Sequence, residues 1–164
     1  MEHKKRFLLA VIVLPWLTVP FLGKKAFKRF SLTALFICGM FGVQSVIAHK
    51  RGWWRVYPKL FPNMIGEFPF MIGPFFVGAL WILKFTFGRF LRYTLLNLAV
   101  DYFHIYFFVA WLKRMGVASL IRLKNYQAYS LFTINAVLMY GFQMVVEKWR
   151  ARKHPKTFIE KLFS

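Results

Sequence analysis

Five long apolar runs, separated by short groups of basic residues, dominate the pattern of the chain. They extend over residues 7–23, 30–48, 68–87, 93–112 and 126–146. The runs are apolar at odd and even positions alike, whereas the strands of a membrane barrel alternate apolar and polar residues. A bilayer core of roughly 30 Å requires about 20 apolar residues as helix. The pattern therefore predicts an all-α fold, a polytopic transmembrane helix bundle with about five spans.

Two of the runs contain prolines that should disturb a regular helix. The first run has the basic start and apolar body of a signal peptide, but two lysines follow it instead of an Ala-x-Ala-like site. We therefore interpret it as an uncleaved anchor, with a segment that enters and returns, leaving four spans, as the alternative. In the third run, Pro69 and Pro74 lack N–H donors, which predicts a late helix start or a bend near Gly73.

The connections between the runs are short, and one of them is rich in aromatic residues. The segment 49–67 contains Trp53 and Trp54, and tryptophan concentrates at the headgroup level, so we expect this segment to lie on the membrane surface. Residues 115–123 predict a short interfacial helix between the fourth and fifth spans. Because no internal repeat or separate polar domain is visible, residues 1–164 are predicted to form a single transmembrane domain, with a basic juxtamembrane tail at 147–164.

Composition and charge narrow the class of protein further. Hydrophobic residues make up 59% of the 164 residues, which excludes intrinsic disorder, and the single cysteine, Cys38, excludes a disulfide scaffold. The 24 Lys and Arg residues, against 5 Asp and Glu, give a formal net charge of +19. Because the basic groups flank apolar runs, we expect contact with anionic lipid headgroups and not with nucleic acid. The lipid contacts predicted in the tail are Lys148, Arg150, Arg152, Lys153 and Lys156.

The density of basic residues in this tail also bears on orientation. Under the positive-inside rule, it favours a cytoplasmic C-terminus in a plasma membrane.

Among the few acidic residues, Glu67 stands at the edge of the third span, where Arg55 or Lys59 is its expected partner.

Asp101 is the one acidic residue well inside a predicted span. A carboxylate near the bilayer centre costs about 2.5 to 3.5 kcal/mol on insertion scales, so it is expected to face protein or water. His104 follows at i+3 and Asn97 precedes at i−4, and these spacings place all three on one helix face. The candidate intramembrane polar site therefore consists of these three residues and two amides of the fifth span, Asn135 and Gln143.

Different interpretations of this polar site remain open. Its side chains can hydrogen-bond as packing contacts between helices, at about 0.6 kcal/mol per bond. Alternatively, Asp101 and His104 can share a proton and form part of a proton or solute pathway. A metal site is not predicted, because zinc needs three or four ligands and the other histidines lie near the ends of the spans. No cofactor is predicted either.

The segment GPFFVGALWILKFTFG at 73–88, with NLAVD at 97–101 behind it, carries a family resemblance. It resembles small uncharacterised multi-spanning membrane proteins of spore-forming Gram-positive bacteria. The resemblance covers the third and fourth spans and implies a bacterial plasma membrane. It brings no assigned activity or site.

No combination of acid, base and nucleophile in the chain predicts a reaction, and Cys38 lies among apolar neighbours that leave a thiol inert. We therefore expect a membrane protein without enzymatic activity, a subunit or partner-binding component that contacts a protein partner or a second copy. The alternative is a small proton-coupled transporter or channel subunit that uses Asp101 and His104, and a third interpretation is an intramembrane enzyme. A water-accessible cavity that reaches Asp101 would favour the transporter.

An odd number of spans places the two termini on opposite sides of the membrane. Single cysteines introduced as Glu2→Cys and Leu162→Cys should therefore react with a membrane-impermeant maleimide from opposite sides. Labelling of both cysteines from the same side would exclude five spans and favour the four-span alternative.

Overall fold

Five long helices make up the computed structural model, which describes residues 2–59 and 62–153. They are α1 (Glu2–Leu22), α2 (Lys24–Arg51), α3 (Phe68–Thr86), α4 (Phe90–Arg114) and α5 (Asn125–Lys153). Each helix is long and apolar enough to cross a membrane, which indicates a multi-pass membrane protein. The predicted all-α bundle is confirmed, and most helices continue a few residues beyond the apolar runs that predict them.

The helices run in alternating directions, so the bundle has two distinct ends. At one end, Gly23 joins α1 to α2 and Gly88 lies between α3 and α4, with φ values of +85° and +90° that favour glycine. Helix α5 also finishes there, because Arg150 donates a hydrogen bond to a carbonyl group near the start of α2. At the other end, Lys4 donates from Nζ to the Gly116 carbonyl, 3.0 Å away. Residues 2 and 153 therefore lie at opposite ends, as a five-span chain requires.

A two-stranded antiparallel sheet covers the end away from the glycine turns, which we call the sheet end. Strand β1 (Trp54–Val56) follows α2 and strand β2 (Ala118–Leu120) follows α4, with Arg55 opposite Ser119. The interfacial helix predicted for residues 115–123 is wrong. The backbone of this segment pairs with β1 instead, because α2 and α4 finish at the same end of the bundle and each is followed by one of the two strands.

Two π-helical turns interrupt the bundle, at Met71–Phe75 in α3 and at His104–Phe108 in α4. The late start predicted for the third helix is wrong, since α3 begins at Phe68. The irregularity expected near Pro74 takes the form of a π turn. A proline removes one backbone donor, and widening the turn accommodates that loss without ending the helix.

Side chains from neighbouring helices bind carbonyl groups of the first π turn. The indole of Trp16 in α1 donates to the Ile72 carbonyl at 3.1 Å. The thiol of Cys38 in α2 donates to the Met71 carbonyl at 3.2 Å. In a membrane, backbone groups that leave the regular helical pattern depend on such donors, because no water replaces them. Both neighbouring helices therefore stabilise the irregular part of α3.

Helix α3 lies at the centre of the bundle and contacts α1, α2 and α4. Its Leu80 and Leu83 are completely buried. Helix α1 is the outermost element, and half of its large apolar side chains are exposed, as expected for a surface in contact with lipid. Lipid is as apolar as these side chains, so the hydrophobic effect does not hold the helices together and close packing becomes decisive.

Gly73 allows α1 to pack closely against α3. A Cβ atom at this position would collide with the backbone carbonyl group of Val11 in α1. Five residues further along α3, a Cβ atom at Gly78 would meet nothing within 4 Å. The two glycines therefore have different roles, one in a helix contact and one beside open space.

Gly73→Ala should lower the free energy of unfolding by about 1 to 3 kcal/mol, the usual cost of overpacking a close contact. Gly78→Ala, the matched control, should leave it unchanged or raise it by up to about 1 kcal/mol, because alanine is the better helix former. Unfolding in mixed micelles at increasing SDS fractions measures both variants. Equal stabilities would contradict the close contact between α1 and α3.

Candidate functional site

A cavity of about 180 Å³ lies between α2, α3, α4 and α5, near the middle of their lengths. Of the five residues predicted as an intramembrane polar site, four line this cavity: Asn97, Asp101, His104 and Asn135. The rest of the lining is apolar or aromatic and comes from all four helices. Four of the five predicted residues therefore border the same cavity.

The carboxyl group of Asp101 is buried, with only 9% of the residue exposed, and it borders this cavity. Its Oδ2 atom has no hydrogen-bond partner within residues 2–59 and 62–153. The predicted bond from Asp101 to His104 or to an amide of the fifth span is therefore wrong for this oxygen. The ring of His104 packs among aromatic rings instead, and the amide of Asn135 is bound elsewhere. The unpartnered oxygen is available to whatever enters the cavity.

Both amides that line the cavity use their nitrogen atoms within the protein. Asn135 exchanges two hydrogen bonds with Gln44 of α2, at 2.7 and 2.9 Å. Asn97 donates from Nδ2 to the Tyr93 carbonyl one turn earlier in α4, at 2.8 Å. Gln44 is not among the five predicted site residues, although an amide within an apolar run is the signal that identifies Asn135. The pair of Gln44 and Asn135 therefore joins α2 to α5, whereas the bond of Asn97 lies within α4.

Gln143, the fifth predicted residue, lies outside the cavity and is fully buried between α2 and α5. It accepts a hydrogen bond from the Thr33 hydroxyl at 2.5 Å and donates one to Glu147 at 2.8 Å. Glu147 also accepts from the Arg29 guanidinium at 2.7 Å. Gln143 therefore belongs to a chain of contacts that joins α2 to α5, as the packing interpretation of the polar residues expects.

Four aromatic rings, one from each of α2 to α5, border the cavity on the side nearer the sheet end. They are Phe41, Phe75, His104 and Phe132, and we call them the aromatic collar. Ring centroids lie 4.5 Å apart for Phe41 and Phe75, 5.7 Å for Phe75 and Phe132, and 5.5 Å for His104 and Phe132. The same rings line a second cavity of about 70 Å³ beneath the sheet. The collar therefore separates two cavities.

The aromatic collar coincides with both π-helical turns of the bundle. Phe75 ends the π turn of α3, and His104 begins the π turn of α4. Single π turns inside α-helices occur frequently at functional sites. Their position at the boundary between the two cavities marks this level of the bundle as a candidate for function.

Glu67 is a buried carboxyl group at the sheet end, only 3% exposed, that the sequence analysis left out of the site. It accepts a hydrogen bond from the indole of Trp54, with 2.9 Å between Nε1 and Oε1, and the Nδ1 atom of His49 lies 3.7 Å from the same oxygen. In the described residues, the expected ion pair with Arg55 or Lys59 is absent, because β1 places the tryptophan over the carboxyl group.

Burial raises the pKa of the Glu67 carboxyl above its ordinary value, although hydrogen bonds and the neighbouring His49 act in the opposite direction. The folded protein therefore binds a proton at Glu67 more readily than the unfolded chain does. The resulting contribution to stability is fully present at pH values below the unfolded pKa and is lost as the pH rises through the folded pKa.

The basic tail is described as far as residue 153, so the predicted lipid contact Lys156 lies outside the described residues. Arg150 donates to two carbonyl groups near the start of α2, at 2.9 and 3.1 Å, and this binds its guanidinium to the protein. The other predicted contacts are exposed at the end of α5: Lys148, Arg152 and Lys153. Three of the five residues are therefore exposed, and their contact with lipid stays a prediction.

Substitutions at Asp101 and at Asn135 should change the free energy of unfolding differently, because Asn135 is hydrogen-bonded to Gln44 and Oδ2 of Asp101 has no partner in the described residues. Asp101→Asn and Asp101→Leu should both fold at least as stably as the wild type, because Oδ2 makes no hydrogen bond that a substitution could remove. Asn135→Leu should lower the free energy of unfolding by about 1 to 3 kcal/mol, because it leaves the Gln44 amide unpaired. Unfolding in SDS mixed micelles compares the three variants.

The double variant Gln44→Leu with Asn135→Leu is the control for this experiment. It should recover much of the free energy of unfolding that Asn135→Leu loses, because replacing both partners by apolar groups leaves no unsatisfied amide. An unstable Asp101→Leu protein, or a double variant no more stable than Asn135→Leu, would contradict these assignments.

Comparison of the chain with protein-family models, with curated proteins and with solved structures finds no match. The fold and the cavity at Asp101 therefore carry the functional inference.

Proposed function

We propose that the protein is a small proton-coupled transporter, or the transport subunit of a membrane assembly, with Asp101 as its proton-binding group. The observation that carries the proposal is the Oδ2 atom of Asp101, which has no partner in the described residues and borders a cavity in the middle of the bundle. Ser45 and Glu67 also have a buried oxygen atom without a partner in the described residues, but Asp101 is the one of the three that borders this cavity.

A carboxyl group that has no hydrogen-bond partner in the protein is expected to bind something that enters the cavity from outside, because an uncompensated charge is costly inside a membrane. A charged aspartate near the bilayer centre costs about 2.5 to 3.5 kcal/mol on insertion scales, and hydrogen bonds from the protein normally offset this cost. The paired amides of Gln44 and Asn135 are an example of such compensation in the same bundle. Asp101 is left to bind a proton, water or a solute in the cavity.

The aromatic collar favours gated movement over an open pore. It lies between the cavity at Asp101 and the smaller cavity beneath the sheet, with neighbouring ring centroids 4.5 to 5.7 Å apart. A solute can pass from one cavity to the other only when the rings move. This requirement is typical of a transporter, whose site near the bilayer midplane is open to one side at a time.

A second proposal is that the chain works as an assembly, with a second copy or another membrane protein as its partner. Tyr102 is 51% exposed at the middle of α4, and its ring stacks on that of Tyr106 at 4.6 Å. In an isolated chain these hydroxyl groups would face lipid, which offers no hydrogen-bond partner. Five helices without an internal repeat are also few for a complete transporter.

The proposed location is a bacterial plasma membrane with anionic lipids around the C-terminal end of α5. The resemblance of residues 73–101 to small membrane proteins of spore-forming Gram-positive bacteria supports the first part. The exposed basic side chains of Lys148, Arg152 and Lys153 support the second. Each lysine or arginine near an anionic surface contributes about 1 kcal/mol to binding.

Proteoliposomes with a pH-sensitive dye in the lumen test the transport proposal. Inward gradients of four small solutes are imposed in turn: tetramethylammonium chloride, sodium methanesulfonate, glycine and glycerol. At least one gradient should change the luminal pH in wild-type vesicles. Asp101→Asn should reduce this change to the rate of protein-free vesicles, because an amide keeps the shape of the side chain and cannot exchange the proton.

Gly141→Phe is the matched control for the vesicle experiment. Gly141 is exposed on α5, it does not line the cavity, and a Cβ atom there meets nothing within 4 Å. This variant should transport as the wild type does. Equal pH changes in protein-free, wild-type and Asp101→Asn vesicles for all four solutes would overturn the transport proposal and leave assembly as the function.

A further inference from the structure

We propose that the cavity at Asp101 binds a small organic monocation of the alkylammonium class in exchange for a proton. The inference rests on the proposed transport function and adds the chemical class of its substrate. Asp101 and the rings of Phe41, Phe75 and Phe132 line the same space. When the cation enters, the proton leaves the Asp101 carboxyl group for solvent, and the carboxylate forms an ion pair with the cation. The charge in the cavity is balanced in both states.

The charges of the lining determine the sign of the ligand. Asp101 is the one acidic residue in the lining, and His104 is the one lining residue whose side chain could carry a positive charge. The nearby hydroxyl of Tyr93 donates to the Ala136 carbonyl at 2.6 Å and brings no charge. A carboxylate in a space with little water is stable only when one positive charge accompanies it. An anion would be repelled, and a neutral apolar molecule would leave the carboxylate oxygen unpartnered.

Metal cations fit the cavity poorly. In residues 2–59 and 62–153, no group of three or more His, Cys, Asp or Glu side chains is placed to hold a metal ion. Calcium takes six to eight oxygen ligands, and magnesium keeps several of its waters. The amide oxygen of Asn135 already accepts a hydrogen bond from Gln44. The cavity therefore offers too few oxygen ligands for a bare metal ion.

The aromatic walls favour an alkylated cation over a hydrated one. The centroid of Phe41 lies 4.5 Å from that of Phe75 and 5.9 Å from that of Phe132. A cation attracts an aromatic ring within about 6 Å of its centroid, so one positive charge beside this cluster can contact more than one ring. Alkyl groups on nitrogen also pack against aromatic surfaces without requiring water. Aromatic cages bind quaternary ammonium groups for the same reason.

The volume of the cavity limits the size of the ligand. The space of about 180 Å³ is comparable with an engineered apolar cavity of about 150 Å³ that binds benzene. Tetramethylammonium and short alkylamines are compounds of this size. Gly78 keeps part of the volume open, since it lines the cavity and a Cβ atom there would meet nothing within 4 Å.

Isothermal titration calorimetry of the full chain in lipid nanodiscs tests the ligand class, with tetramethylammonium chloride as the probe. Sodium chloride controls for ionic strength, and tert-butyl alcohol controls for a neutral group of similar shape. Saturable binding is expected for tetramethylammonium alone. It should weaken as the pH is lowered, because protonated Asp101 carries no charge. The measured heat should also vary with the ionisation enthalpy of the buffer, because a proton is released on binding.

Three substitutions distinguish this site from unspecific binding. Asp101→Asn should abolish saturable binding, and Phe75→Leu should weaken it about 2- to 30-fold, the range expected for a cation–ring contact. Gly78→Phe should abolish binding by filling the cavity, whereas Gly141→Phe adds the same side chain on an exposed face and should bind as the wild type. Thermal unfolding checks each protein, and Phe75→Leu supplies the result if Gly78→Phe does not fold.

The outcomes separate the ligand class from the transport function. Tetramethylammonium binding that is absent, or equal in the wild type and Asp101→Asn, overturns the ligand class. If another of the four solutes then drives an Asp101-dependent pH change in vesicles, transport stands and the organic cation does not. Saturable, Asp101-dependent binding without any pH change in vesicles supports the cation site and overturns transport.

Discussion

Water is absent from the interior of a bilayer, so each polar group within a span needs a partner that the protein itself supplies. This constraint explains two polar contacts between helices of the bundle. Gln44 and Asn135 satisfy each other across α2 and α5, and the indole of Trp16 binds a carbonyl group beside the proline of α3. Asp101 departs from the rule, because its Oδ2 atom has no partner in the described residues. Ser45 of α2 is fully buried and is a second exception, because its Oγ atom also has no partner there.

The helices were predictable because a span needs only length and apolar character, whatever its neighbours are. The run at 126–146 predicts α5 on these grounds alone. The sheet was not predictable, because β1 and β2 have three residues each and form only where two distant helix ends meet. Pro74 predicts an irregular α3, but the choice of a π turn over a bend depends on donors from α1 and α2. Features that depend on one segment were predicted, and features that depend on a pair of segments were not.

The same distinction applies to the candidate site. Asp101, Asn97 and His104 stand out by polarity in an apolar run, their helical spacing predicts that they share one helix face, and all three border the same cavity. The aromatic collar was not predictable, because its three phenylalanines are among 21 in the chain and nothing in the sequence separates a ring that faces lipid from one that faces a helix. Glu67 was assigned to charged neighbours because its true partner, Trp54, reaches it only through the pairing of β1 with β2.

The two-stranded sheet also constrains the order in which the bundle can form. Its strands follow α2 and α4, so the loop that the sheet closes contains both α3 and α4. Closing a long loop costs conformational entropy, and contacts between distant segments form late in folding. The strands can pair only after α3 and α4 have crossed the membrane in opposite directions and returned the chain to the same side. Completion of the sheet over Glu67 therefore marks the end of insertion for these two helices.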